Sequence, residues 1–124
     1  MAEQTGATEA VEAIKAHLMK EVATCPGYAF AEVDRLFPDE KGDLALYHGK
    51  CENIIFWVGL SKNLYQAITE LLSEQRMVLN STSTLVYLVD GRGLKLPLAK
   101  QLRQYKAPHW APVTLHPGPA KRAT

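Results

Sequence analysis

The sequence predicts a single α+β domain, with helices first and a small antiparallel β-meander after them. Residues 62–75 carry the clearest helical pattern in the chain. The apolar residues of this segment fall on one face at helical spacing: Leu64, Ile68, Leu71 and Leu72. Three short runs rich in apolar residues follow, at residues 77–79, 84–89 and 94–96, and each predicts a strand. The run at residues 94–96 also alternates between apolar and polar positions. A chain of 124 residues with 47% hydrophobic residues suits one domain with one core.

Two helices are predicted in the first third of the chain. The first runs from Thr8 to the helix-breaking pair Pro26-Gly27, and its apolar residues share one face. These apolar residues are Val11, Ile14, Leu18 and Val22. The second helix covers residues 29–36, and Pro38 prevents it from continuing. Residues 1–7 are polar, and we expect a disordered N-terminus there.

The segment between residues 39 and 58 has two possible assignments in its second half. Residues 39–43 suit an exposed loop, residues 44–47 a short strand and residues 48–50 a turn. Residues 53–58 include five consecutive large apolar residues, which fit either a buried strand or a helix. We favour the helix, because residues 59–61 are too few to turn a strand comfortably into an antiparallel helix.

Gly59 and Ser61 have specific roles in the turn that follows. Gly59 suits a tight turn, because glycine adopts positive φ without a Cβ clash. Ser61 suits the N-cap of the helix at residues 62–75, because its hydroxyl can accept a hydrogen bond from a first-turn N–H. Together they predict two helices joined by a short turn.

The C-terminal third is predicted to contain a hairpin, a last helix and a tail. Asp90-Gly91 is a strong signal for the hairpin turn. Residues 98–105 suit a helix, which would close a domain of residues 8–106. Residues 107–124 are rich in proline and end in basic residues, so we expect an extended, partly disordered tail.

Charge is divided unevenly along the chain. Residues 1–60 hold ten acidic and five basic residues, whereas residues 76–124 hold one acidic and eight basic residues. Such asymmetry indicates an anionic partner for the basic half. A solvated surface with a basic tail explains the asymmetry equally well, because the basic residues are only moderately dense.

The order of these elements resembles a winged helix-turn-helix. Three residues match the turn glycine, the apolar residue and the cap: Gly59, Leu60 and Ser61. Three more match the inward positions of the second helix: Leu64, Ile68 and Leu71. The resemblance is to the superfamily, and it implies a DNA-binding protein that acts as a homodimer and as a transcriptional regulator.

The resemblance also implies which side chains contact double-stranded DNA. A recognition helix presents donors and acceptors to base edges in the major groove. Asn63 and Gln66 suit this role, because an amide pairs bidentately with adenine. Arg92, at the tip of the predicted wing, suits the minor groove or a phosphate. The predicted DNA-binding residues are Lys62, Asn63, Gln66, Thr69, Ser73, Arg92 and Lys95.

The alternative function is a protein-interaction adaptor without nucleic-acid affinity, because one fold can host several functions. The electrostatics of the helix at residues 62–75 distinguish the two hypotheses. DNA binding is favoured if five basic residues converge beside Asn63 and Gln66. These are Lys62, Arg76, Arg92, Lys95 and Lys100. The adaptor is favoured if that face is buried or acidic.

No catalytic motif or cofactor site is predicted. The sequence lacks a phosphate-cradling glycine loop and a Gly-x-Ser-x-Gly elbow. His48 and Cys51 lack the paired spacing of zinc ligands. We therefore expect no enzyme activity, no cofactor and no metal. The polar N-terminus is unlike a signal peptide, and no apolar run approaches the ~20 residues of a membrane span, so we expect a cytoplasmic protein.

Overall fold

A computed structural model describes the backbone of residues 2–89 and 93–118, and the side chains of residues 9–87 and 93–118. It confirms the α+β class. The helices are α1 (Ala2–Thr24), α2 (Phe30–Leu36), α3 (Lys62–Ser73) and α4 (Leu85–Val89). The strands are β1 (Tyr28–Ala29), β2 (Lys41–Tyr47), β3 (Ile54–Leu60), β4 (Met77–Ser81), β5 (His109–Trp110) and β6 (Val113–Pro117).

Helix α1 packs its apolar stripe against α3 and β6. Val11, Leu18 and Val22 are buried, as their helical spacing predicted. The helix begins at Ala2 rather than at Thr8, so it includes most of the segment for which we expected disorder. Alanine, glutamate and glutamine in this segment have favourable helix propensity, which explains the earlier start.

The described strands form two sheets of three strands each. Sheet A has the order β1-β6-β4 and is antiparallel throughout. Sheet B has the order β2-β3-β5, in which β3 pairs antiparallel with β2 and parallel with β5. This order differs from that of a typical wing, because β5 and β6 come from the end of the chain. The winged-helix arrangement is therefore not confirmed.

Strand β3 contains most of the segment that we predicted as a helix, residues 53–58. The run is rich in β-branched and aromatic residues, and it gains backbone partners on both sides. Gly59 has a φ of +80°, so the positive φ is confirmed. It lies where the pairing with β2 shifts register, and not between two helices. This irregular strand end reorients the chain, which is why so short a connection can join a strand to α3.

Helix α3 confirms the strongest prediction from the sequence. The Oγ of Ser61 accepts a hydrogen bond from the backbone N–H of Leu64 at 3.0 Å, which caps the helix. Ile68 and Leu71 are fully buried, as expected for the apolar face.

The strand predicted at residues 84–89 is wrong, because residues Leu85–Val89 form helix α4. The Oγ of Ser83 accepts a hydrogen bond from the Leu85 N–H at 3.1 Å, and this local bond favours a helical turn over an extended chain. Tyr87 is fully buried on α4. The predicted hairpin at Asp90-Gly91 lies outside the described residues.

The strand at residues 94–96 and the helix at residues 98–105 are also absent from the described structure. The backbone N–H of Ala99 donates to Trp110 O, and the N–H of Trp110 donates to Pro97 O, both at 2.8 Å. These long-range bonds replace the local bonds that a helix at residues 98–105 would need.

The predicted tail contains the middle strand of sheet A. β6 pairs with β1 on one side and with β4 on the other, and Leu115 is fully buried. Residues 107–112, which belong to the predicted extended and partly disordered tail, include the short strand β5. The proline content of this segment therefore does not indicate disorder, because Pro112 precedes β6 and Pro117 is its last residue.

Four aromatic side chains form the centre of the core, two from sheet B and two from helices α2 and α4. Phe30 stacks on Trp57 at 6.1 Å between ring centroids, and Trp57 stacks on Tyr87 at 5.3 Å. The edge-to-face pair of Tyr87 and Trp110, at 5.2 Å, extends this cluster to β5.

Among the described residues, no helix combines the length and apolar character that crossing a membrane requires.

Candidate nucleic-acid interface

The residues predicted on α3 form a polar face, but some of their donors are already used within the helix. Lys62, Gln66 and Ser73 are exposed, whereas Asn63 and Thr69 are half-buried. The amide Nε2 of Gln66 donates to Glu70 Oε2 at 2.8 Å. The hydroxyl of Thr69 donates to the Tyr65 carbonyl at 2.9 Å. A base edge would have to compete with these internal bonds.

The same helix carries carboxylates that lie beside the predicted reading residues. Lys15 of α1 is only 5% exposed, and its Nζ contacts Glu70 at 3.0 Å and Glu74 at 3.2 Å. Glu12 lies 3.4 Å from the same ammonium. Burial alone would lower the pKa of Lys15, but the hydrogen bonds to these carboxylates outweigh it and raise the pKa. This part of α3 therefore serves to pair with α1.

No contact in the described structure brings the predicted basic residues together on α3. Lys62 follows the C-terminal end of β3, whereas the segment around Lys100 contacts the N-terminal end of β3 through β5. A strand of this length separates its ends by about 20 Å. Lys95 is exposed in the irregular segment before β5. Arg92 lies outside the described residues.

A second surface carries basic and aromatic residues together, and we call residues 98–109 the basic loop. Its cations are Lys100, Arg103 and Lys106, and Lys50 joins them from the turn after β2. The Nδ2 of Asn53 donates to Tyr105 O at 2.7 Å, and Gln104 Nε2 donates to Lys50 O at 2.5 Å. These bonds attach the loop to the turn before β3.

Arg103, Tyr105 and His109 form a stack on this loop. The Tyr105 and His109 rings lie 3.9 Å apart at 25°, and the Arg103 guanidinium lies 4.6 Å from the Tyr105 centroid. The Gln101 N–H donates to the Tyr105 hydroxyl at 3.1 Å. This bond and the Arg103 charge favour the phenolate, so the pKa of Tyr105 is lowered. The stack orients a guanidinium at the surface.

The cations of this surface are not paired with acidic side chains in the described structure. Among the described residues, Lys50, Lys100, Arg103 and Lys106 make no ion pair with a carboxylate. Lys100 lines three clefts of 340, 250 and 330 Å³, and no Asp or Glu in the described part of the chain lines any of them. Unpaired cations around clefts without an acidic lining generate a positive potential that attracts anions.

The sequence indicates Lys100 as one of the basic residues, but it predicts neither the stack of Arg103, Tyr105 and His109 nor the support from Asn53. The alternation of basic and aromatic residues from Lys100 to Trp110 is a signal that could have drawn attention to the loop. The predicted helix at residues 98–105 and the predicted tail from residue 107 divide this segment, so the alternation does not stand out in the sequence.

Comparisons with protein-family models, with curated proteins and with solved structures found no match to this chain. Within residues 2–89 and 93–118, no three His, Cys, Asp or Glu side chains are grouped so that they could hold a metal ion.

Proposed function

We propose that this protein binds double-stranded DNA, and that the basic loop contacts the phosphate backbone. The observation that carries the proposal is the stack of Arg103, Tyr105 and His109, which lies among unpaired cations beside clefts that no described carboxylate lines. An oriented guanidinium suits phosphate, because its planar donors match two phosphate oxygens.

Electrostatics would dominate this interaction. Phosphate contacts release condensed counterions, so log affinity falls against log salt with a slope of about −0.9 per contact. Contacts by Lys50, Lys100, Arg103 and Lys106 together would give a slope of about −3 to −4.

The winged-helix hypothesis places base recognition on α3, and this remains a separate prediction. The hydrogen bond between Gln66 and Glu70 argues against base recognition by α3, because the Gln66 amide already donates to a carboxylate on the face that would contact the bases. A role as a homodimeric transcriptional regulator would require a preferred site as well as backbone contacts.

The test is a fluorescence anisotropy titration of a labelled random duplex at several salt concentrations from about 50 to 200 mM. The double substitution Arg103→Ala and Lys106→Ala should flatten the log–log slope by about two units, because two phosphate contacts are lost. The matched control is Lys20→Ala, an exposed cation on α1 outside the loop. It should leave the slope unchanged.

Lys62→Ala distinguishes the two surfaces. If this substitution flattens the slope and the loop substitutions do not, α3 is the DNA-binding element and our proposal is wrong. The proposal also fails if the wild-type protein binds no duplex at the lowest salt concentration.

The carboxylates beside the polar face of α3 and the exposed leucines of the loop favour a protein-interaction adaptor as a second candidate. Leu102 is 69% exposed and Leu98 is 40% exposed, so the loop presents apolar surface that a protein partner could cover. Failure of all duplex binding, with the fold intact, would leave this candidate ahead.

A further inference from the structure

A cleft of 340 Å³ opens where the two sheets meet, and its floor is apolar. The floor combines Ile54 and Phe56 of β3 with Leu79 of β4 and Val113 of β6. This volume lies at the lower end of the range for small-molecule sites, which are mostly apolar with a few placed polar groups.

The rim of the cleft carries hydrogen-bond donors. Lys100, Gln101 and Ser81 line it, together with His48. The Nδ1 of His48 accepts a hydrogen bond from the Lys50 N–H at 3.0 Å. In the neutral ring the proton therefore resides on Nε2, which remains available as a donor. No carboxylate of the described residues lines the cleft.

We propose that this cleft binds an amphiphilic organic monoanion, with its carboxylate between Lys100 and His48 and its apolar body against Phe56 and Leu79. The charge of the rim selects the anion, and the floor requires an apolar body. A phosphate or other fully polar anion would leave the floor unfilled.

The position of Lys100 connects this site to the basic loop, and this part of the inference rests on the proposed DNA binding. Lys100 also lines the clefts of 250 and 330 Å³ on the loop, and neighbouring Gln101 bonds to Tyr105. A carboxylate that occupies Lys100 removes one phosphate contact. The monoanion and the duplex therefore weaken each other's binding by the same factor.

The binding test is isothermal titration calorimetry of the full chain with octanoate and, separately, with octanol. Octanol has a similar chain without the charge. Octanoate should bind at least about tenfold more tightly than octanol, because a charge-assisted hydrogen bond contributes this much. Lys100→Gln should reduce octanoate affinity to the octanol level and leave octanol affinity unchanged.

Two further variants keep this test specific. Lys20→Gln makes the same change of charge on α1 and should leave octanoate affinity unchanged. Ala111→Leu places extra volume in the lining of the cleft and should weaken octanoate and octanol together. Equal affinity of the two ligands, no binding of octanoate, or an unchanged Lys100→Gln variant would each overturn the site.

The coupling is tested by the duplex titration with and without saturating octanoate. Octanoate should flatten the salt slope by about one unit in the wild type and not in Lys100→Gln. If the duplex and octanoate both bind without affecting each other, the coupling is wrong and the site stands. If the duplex does not bind at all, the proposed function fails, and the calorimetry still decides the site.

Discussion

Gly59 has a φ of +80° at the point where β3 and β2 shift register. A Cβ built there would meet no atom closer than the carbonyl oxygen of Gly42 at 3.9 Å. Space is therefore available for a side chain, and the constraint on this position comes from the backbone alone.

Gly59→Val should lower the free energy of unfolding by about 1–3 kcal/mol, because a β-branched residue is strained at positive φ. The measurement is a urea unfolding curve. Gly49→Val is the control, since Gly49 lies outside the positive-φ region and has no heavy atom within 4 Å of a built Cβ. Equal losses in the two variants would mean that backbone strain at Gly59 has no special effect.

The pairing of α1 with α3 depends on a buried cation as well as on apolar packing. Lys15 bridges Glu12 of its own helix to Glu70 of α3 and to Glu74, the C-cap of that helix. Hydrogen bonds from Gln66 and from Lys15 lower the pKa of Glu70 below its usual 4.5. A lowered carboxyl pKa contributes stability that is present above pH 4.5 and is lost as the pH falls through the folded-state pKa.

Lys15→Met should therefore make the protein less sensitive to acid than the wild type. We expect a smaller difference in urea midpoint between about pH 7 and about pH 3, because the protonation of Glu70 no longer breaks a bond to Lys15. Lys20→Met on the same helix is exposed and should keep the wild-type difference. An unchanged acid sensitivity in Lys15→Met would show that Gln66 alone sets the pKa of Glu70.

At the scale of the whole molecule, Tyr87 joins parts of the chain that are distant in sequence. Its hydroxyl accepts a hydrogen bond from the Phe30 N–H at 3.0 Å and donates to Val113 O at 2.6 Å. Its ring contacts Trp57 and Trp110 of sheet B. One buried side chain thus connects α2 and β6 with β3 and β5.

Tyr87→Phe should lower the free energy of unfolding by about 1–3 kcal/mol, because it leaves the buried Phe30 N–H without its partner. Tryptophan fluorescence reports on sheet B and far-ultraviolet circular dichroism on the whole chain. The two signals should give one shared midpoint in urea. Tyr47→Phe is the control, because Tyr47 is 47% exposed and should change stability little. Separate midpoints for the two signals would show that the sheets unfold independently.

The helices that the sequence predicted well are those whose signals are local. The capped, amphipathic pattern of α3 and the stripe of α1 each specify a helix without reference to the rest of the chain. Residues 54–58 are apolar at every position, so their periodicity could not distinguish a helix from a strand with partners on both sides. The backbone pairing with β2 and β5 is what makes this segment a strand.

Long-range contacts decided the remainder of the fold and the candidate site. β6 lies in the middle of sheet A because it pairs with Tyr28–Ala29 on one side and with Met77–Ser81 on the other. The proline-rich sequence around β6 contains no local pattern that predicts either pairing. The sequence determined the excess of basic residues in its C-terminal half. Their convergence on one surface required the tertiary bonds from Asn53 to Tyr105 and from Gln104 to Lys50, because side chains far apart in sequence meet only when the chain between them has folded.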